Sequence, residues 1–414
     1  MISTLRFAVT FLAIHFCVAA SAQLSGSYTI NSGMPASPIN FQTFTAFADS
    51  INLNGVSGNV TATVTPGSGP YVEQVTFDSI PGSGPSATVT LEGSGETVTA
   101  LTDSANRHVI RLTDIQYFTI NNLRIERDTN STSGFYGIQI FNTGNNITIS
   151  NCAVYINGTT STLAGAYVAS GSTTSLLVTG DFNNISFISD TATGGGYGVS
   201  VYGLVFPLAA NILISDNVFY DFHSNGVYLR ETTGAVVRNN YFDKRTSNVT
   251  SVNAIQVAQN ANQNTTINNN FIKVSQTSNG TVTFRGIYLF NGAGHKVYNN
   301  VIHDVNLTAG NFTGIEVRTA GMASEIYFNT ISVDNAGTSS GNLYGIKEEL
   351  SSTNFILRNN IISIAQPTTG MKAGIVLGAL TPVNASPSSN YNIIWVPNGN
   401  VALKNPTTPT LFPI

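Results

Sequence analysis

The chain has 414 residues, of which 42% are apolar and only 9% charged, with a formal net charge of −4. A balance this mild, with no basic stripe, speaks against a nucleic-acid partner, and apolar residues spread in short pairs speak against disorder. Once the first 22 residues are set aside, Cys152 is the one cysteine left, so no intrachain disulfide can staple the fold.

Those first 22 residues read as a signal peptide. Arg6 precedes the apolar run "FAVTFLAIHFCVAA", and the small residues "ASA" before Gln23 predict cleavage after Ala22. The expected location is therefore secreted or cell-surface. No later run is long and apolar enough to span a membrane.

Residues 23–100 are expected to form an N-terminal cap and the first strands. In "INFQTFTAFADSINLN", Phe41, Phe44, Phe47, Ala48 and Ile51 recur at helical spacing and Asn54-Gly55 marks a stop, so an amphipathic capping helix is predicted over about 40–54. "GNVTATVTPG" and "EQVTF" then begin the strands, with Pro/Gly turns following each.

Residues 101–380 repeat. A Gly-apolar-x-apolar phrase, with Ala in place of Gly in "AIQV" at Ala254, recurs nine times from "GIQI" at Gly137 to "GIVL" at Gly374, at a mean spacing of 29.6 residues. A second phrase, an Asn pair between apolar pairs, keeps the same period in "AVVRNNYF", "TTINNNFI", "KVYNNVIH" and "ILRNNIIS". Helical solenoids of longer period need amphipathic helix pairs, whereas these segments alternate with period two. Two or three short strands per repeat with Asn/Gly turns describe one coil of a parallel β-helix, and the predicted fold is all-β with about ten coils.

The first Asn of each pair is read as a left-handed turn residue and the second as a rung of an inward amide ladder. The ladder positions are Asn217, Asn240, Asn270, Asn300, Asn329 and Asn360, preceded at the same corner by Leu123, Cys152 and Thr191. Asparagine amides alone make a poor site for a hard cation, and the scattered histidines lack ligand spacing, so no metal and no cofactor is expected. Cys152 reads as a small buried apolar residue.

Residues 381–414 form a C-terminal segment read as a continuation cut short, or as a flap with Trp395 as its plug. Together "LSGSYTINSG", "FQTFTAFADSINLNGVSGNVTATVTPGSGPYVEQVTFDSIPG", "FTINNLRIER" and the Asn-rich coils resemble secreted right-handed parallel β-helix repeat proteins of Bacteroidetes type. The resemblance implies a single right-handed β-helix over nearly the whole mature chain. It identifies the architecture and leaves the activity open, since the repeat serves sugar lyases, hydrolases and adhesins alike.

Function is therefore sought in the outward residues of the Gly-apolar-x-apolar strand. Tyr167, Tyr228, Arg230, Tyr288, Phe290 and Glu316 are the candidate glycan contacts, because rings stack on sugar faces and charged groups bind hydroxyls. Plain exposed-strand chemistry explains the same tyrosines. For catalysis no residue is committed; the weak candidates are Glu316 as base with Arg318 and Lys347 steadying substrate, against simple cross-coil pairing of Glu316 with Lys347. The reading is an exported, non-catalytic rod for adhesion or glycan contact, monomeric or part of a longer chain. Its partner would be a polysaccharide or a cell-surface glycan. The alternatives are a polysaccharide lyase or glycoside hydrolase working along one sheet face, and a plain spacer.

Overall fold

The computed structural model describes residues 23–131, 134–156, 161, 163–246, 251–258, 262–275, 282–318, 324–349, 355–378, 388–404 and 410–411. The predicted signal peptide lies outside them. Among the described residues, no helix is long and apolar enough to cross a membrane.

The chain winds as a right-handed parallel β-helix with three strand-bearing faces. The third face alone stacks twelve strands, from Tyr71–Val72 to Ile393–Trp395. There are thus about twelve coils where the repeat predicted about ten. The additional coils lie at the two ends, where Val75–Phe77 and Asn400–Lys404 continue the first face without a glycine phrase.

Each repeated feature of the sequence has a physical cause. Inside the first face, Val199, Val227, Ile255, Ile287, Ile315, Ile346 and Ile375 lie one above another in register, so apolar contact runs unbroken along the axis. The phrase glycine sits where this face crosses the third. A Cβ on Gly226 would meet the Phe242 ring and the Ala254 carbonyl oxygen at 2.6 Å, and one on Gly314 would meet Ile331 and the Gly345 carbonyl oxygen at 2.8 Å.

The Asn pairs behave as expected. The first members Asn239, Asn269, Asn299 and Asn359 have φ of 55–56°, the left-handed region Asn tolerates. The second members form an uninterrupted ladder. Nδ2 of Asn217, Asn240, Asn270, Asn300 and Asn329 each donates to Oδ1 of the next at 2.9–3.0 Å, and Asn360 continues to Asn392. The same Oδ1 accepts the backbone N–H of the preceding rung, as from Asn270 N to Asn300 at 3.0 Å. From Asn217 to Asn360 each rung thus satisfies the next without a side chain from outside the ladder.

One rung is corrected. Thr191 pairs with Ala153 inside the third-face strand, and the corner residue is Asp190, whose N–H donates to Asn217 Oδ1 and whose Oδ1 accepts the Cys152 N–H, both at 2.8 Å. Ile188-Ser189-Asp190 matches Ser215-Asp216-Asn217 residue for residue, and a count started from the outward Ile188 instead of the inward Phe187 misses the acid by one. Leu123 and Cys152 continue the corner as buried residues. Burial first, then the neighbouring Asp190 carboxyl, pushes the Cys152 thiol well above its ordinary pKa, which leaves it unreactive.

The capping helix spans Phe44–Asn54, later in the chain than the predicted start at residue 40; Asn40–Phe41 instead pairs as a short strand with Thr29–Ile30. Phe44, Phe47, Ala48 and Ile51 are buried under the first coil. Thr43 caps the first turn through Ala46 N–H. Glu73 adds a carboxylate that accepts the N–H groups of Phe44 at 3.0 Å and Thr45 at 2.8 Å and the Thr45 hydroxyl at 2.6 Å. A carboxylate here satisfies free helix donors and opposes the positive end of the dipole. Glu73→Ala should therefore cost about 1–2 kcal/mol, read as a lower denaturant midpoint with the strand circular-dichroism signal retained in the native state; an unchanged midpoint would remove the cap from the account. At the other end Trp395 is 56% exposed on the third face, so it plugs nothing.

Candidate functional site

The outward residues of the first face line up from coil to coil. One column runs Arg111, Gln139, Val168, Ser200, Tyr228, Gln256, Tyr288, Glu316, Lys347. Tyr167 is absent from it. Tyr167 is in register with Ile138 and Val199, fully buried inside the coil, and its hydroxyl donates to the Cys152 carbonyl at 3.0 Å. The phrase in that coil begins at Ala166 and not Gly165, and a one-residue slip reverses a strand's two sides. Tyr167 is therefore a core residue.

Tyr228 and Tyr288 do stand on the outer side, but their rings are largely covered. Tyr228 packs with Tyr136, Val168, Leu176, Tyr197 and Tyr202 in an apolar cluster outside the coil. Arginines cover neighbouring rings: the Arg230 guanidinium lies 4.3 Å from the Tyr202 centroid, Arg285 4.5 Å from Tyr288 and Arg318 5.0 Å from Phe290. These contacts use the ring quadrupole that was expected to meet a sugar. Burial, ahead of the opposing hydrogen bond from Arg230, raises the Tyr228 hydroxyl to about 12.

The charged candidates converge farther along the same face. Arg285 Nε donates to Glu316 Oε2 at 2.9 Å, and Lys347 Nζ lies 4.0 Å from that oxygen. Lys347 Nζ also donates to Glu349 Oε1 at 2.6 Å, and Arg318 Nε lies 3.3 Å from Glu349 Oε2. The cross-coil pair of Glu316 with Lys347 is thus present, inside a larger network of three cations and two carboxyls. Arg285 and Glu349 are the members that sequence reasoning left without a role; the signal for Glu349 is that it follows Lys347 by two residues at the end of the strand Leu343–Glu348 and so falls on its side.

The two carboxyls sit in opposite environments. Glu316 is 1% exposed and its Oε1 finds no partner among the described residues. Burial raises its pKa against the pull of Arg285 and Lys347. For Glu349 burial also acts upward, but the hydrogen bond from Lys347 and the charges of Lys347 and Arg318 outweigh it, and its carboxyl is held low. A cleft of about 230 Å³ opens at this network, lined by Arg285, Asn311, Thr313, Glu316, Asn342, Tyr344 and Lys347 among others. Its walls offer amide, hydroxyl and charged groups beside one ring. Among the described residues, no cluster of His, Cys, Asp and Glu is arranged to hold a metal ion.

Residues 153–331 match the family model described as "Right handed beta helix region". No curated protein matches the chain. Among solved structures, the chain is similar to the GH136 lacto-N-biosidase of Eubacterium ramulus, with a TM-score of 0.53 at 12% identity, covering 89% of this chain and 68% of that one. It is also similar to PfbA, a surface adhesin of Streptococcus pneumoniae, with a TM-score of 0.45 at 15% identity, covering 80% of this chain and 88% of that one. The periplasmic alginate epimerase AlgG follows with a TM-score of 0.38 at 11% identity, covering 81% and 77%. At these identities the likeness is one of fold.

Proposed function

We propose that the chain is an exported β-helix whose first face binds glycans, with the binding site centred on the cleft at Glu316 and Lys347. The observation that carries this reading is the convergence of Arg285, Glu316 and Lys347 with Asn311, Asn342 and Tyr344 around one cleft, with Glu349 pairing Lys347. Charges already paired to one another hold their positions before a ligand arrives, so hydroxyl groups meet preset donors and acceptors. Export is inferred from the N-terminal segment, and the rod shape places a long face where a polymer can lie along it.

The test is binding to a glycan array, followed by titration of any ligand found. Lys347→Ala and Asn342→Ala should weaken binding about tenfold, the size of one lost charged or well-placed hydrogen bond. Trp395→Ala, on the third face, should leave it unchanged. If no glycan binds, or if the cleft variants bind as the parent does, the reading is wrong.

A second reading is hydrolysis, and one observation favours it: the environment raises one carboxyl, Glu316, and lowers its neighbour, Glu349. A glycosidase needs one acid kept protonated to protonate the leaving oxygen and one carboxylate kept ionised. Incubation of the bound glycan with the parent protein would then release new reducing ends, and Glu316→Gln and Glu349→Gln would each abolish them. Binding without release assigns the network to recognition alone.

A further inference from the structure

Seven rungs before Glu316, the first face carries a different polar cluster. Arg107 and Arg111 are both more than nine-tenths buried, as are His108 and Tyr136. Neither arginine is in an ion pair among the described residues. Arg111 Nε donates to Gln139 Oε1 at 3.1 Å and its guanidinium lies 5.6 Å from the Phe141 centroid, but Nη2 has no hydrogen-bond partner. Arg107 Nε and Nη1 have none either, and the Tyr136 hydroxyl lies beside Arg107, within reach of a hydrogen bond from it.

The surrounding groups do not supply the missing charge. Asp78 attracts Arg111 from a distance without pairing, and Asp103 Oδ1 is engaged by the N–H groups of Ala105 and Asn106. His108 Nε2 is in contact with the Thr76 hydroxyl, and burial, then the nearby Arg111 charge, holds the ring near a pKa of about 3, so it is neutral. Two guanidinium groups thus share a buried place with several unfilled donors and no paired acid. Uncompensated buried charge and unsatisfied donors are costly, and a partner anion removes both costs together. Guanidinium forks fit oxyanions in a bidentate fashion.

We propose that Arg107, Arg111 and Tyr136 form a pocket for an oxyanion carried by an acidic sugar, a carboxylate or a sulfate group. Arg111 stands in the outward column that later holds Glu316 and Lys347. Seven strand spacings separate the two sites, or roughly 34 Å, so one extended polymer can reach both. Between them run Tyr228, Gln256 and Tyr288. Assigning the anion to a sugar rests on the glycan reading of this face; the pocket's need for an anion does not.

The experiment titrates the full chain with uronate oligosaccharides, sulfated oligosaccharides, their neutral counterparts and inorganic sulfate, by calorimetry and by thermal shift. At least one acidic oligosaccharide should bind more tightly than its neutral counterpart, which identifies carboxylate or sulfate as the group read. Arg111→Gln should weaken that binding tenfold or more, and Tyr136→Phe severalfold, while Trp395→Ala, on the third face, leaves the preference for acidic over neutral ligand in place. Tyr136→Phe removes one oxygen and serves where Arg111→Gln lowers the melting temperature too far. The proposal is overturned if acidic and neutral glycans bind alike, if both variants keep the parent's preference, or if inorganic sulfate alone binds. Neutral glycans binding at the Lys347 cleft with no acidic preference would overturn this pocket and leave the glycan reading standing.

Discussion

Asn300→Ala should destabilise the protein by about 3–5 kcal/mol, the range seen when a buried hydrogen-bond network is cut. Asn300 Nδ2 donates to Asn329 Oδ1, to the Ile267 carbonyl and to the Tyr298 carbonyl at 3.0–3.1 Å. Its Oδ1 accepts both the backbone N–H and Nδ2 of Asn270, at 3.0 and 2.9 Å. Alanine deletes all of these and strands a buried N–H and a buried carbonyl in a corner closed to water. The cost lies more in the stranded groups than in the lost contacts. Asn392→Ala offers the comparison, because Asn392 ends the ladder and is half-exposed, so water can replace its amide. Denaturant melts of the two variants should differ by more than 1 kcal/mol; equal midpoints would mean that the ladder does not hold the corner.

Asp190→Asn should do the opposite and stabilise the fold at neutral pH, by about 1–3 kcal/mol. In the rungs that follow, the atom corresponding to Asp190 Oδ2 is an Nδ2 that donates to the next Oδ1, as Asn217 does to Asn240 at 2.9 Å. Asp190 Oδ2 has no partner, and when ionised it presents a lone pair to an acceptor. Burial raises the Asp190 carboxyl well above its ordinary range, against the opposing hydrogen bonds from the backbone. A raised folded pKa means that stability is fully present below the unfolded value near 4 and falls as pH rises through the folded value. The gain from Asp190→Asn should therefore be smallest below about pH 4 and grow toward neutrality. Thermal melts from pH 3 to 8 measure it. A gain independent of pH, or a loss, would show that Asp190 is ionised and compensated in the fold.

These two expectations mark how far the sequence could be read. The left-handed Asn, the inward Asn and the crossing glycine are all forced by local sterics that recur once per coil. Their period was therefore legible without coordinates, and Asn359-Asn360 in "ILRNNIIS" is turn and rung as read. The helix was legible for the same reason, since Phe44, Phe47, Ala48 and Ile51 share one side of a 3.6-residue turn.

The misreadings come from places where two neighbouring residues both fit the repeated pattern. Thr191 stood in for Asp190 because the outward Ile188 fits the apolar position that Phe187 holds, and Tyr167 was placed outside because Gly165 imitates the phrase glycine whose place Ala166 takes; a strand's sides alternate by one. The end coils escaped because the glycine phrase is absent from Val75–Phe77 and Asn400–Lys404. Charged positions were visible as letters, yet whether Glu316 faces solvent or Arg285, and whether Arg107 meets a carboxylate or none, depends on coils some thirty residues apart. By itself, then, the sequence determined the repeat, the parallel β-helix and the Asn corner, since each follows from contacts that every coil makes with the next. Only the tertiary structure decided which outward residues are covered, which charges are paired and where a buried donor is left open, because burial and pairing belong to the stacked surface and not to any one coil.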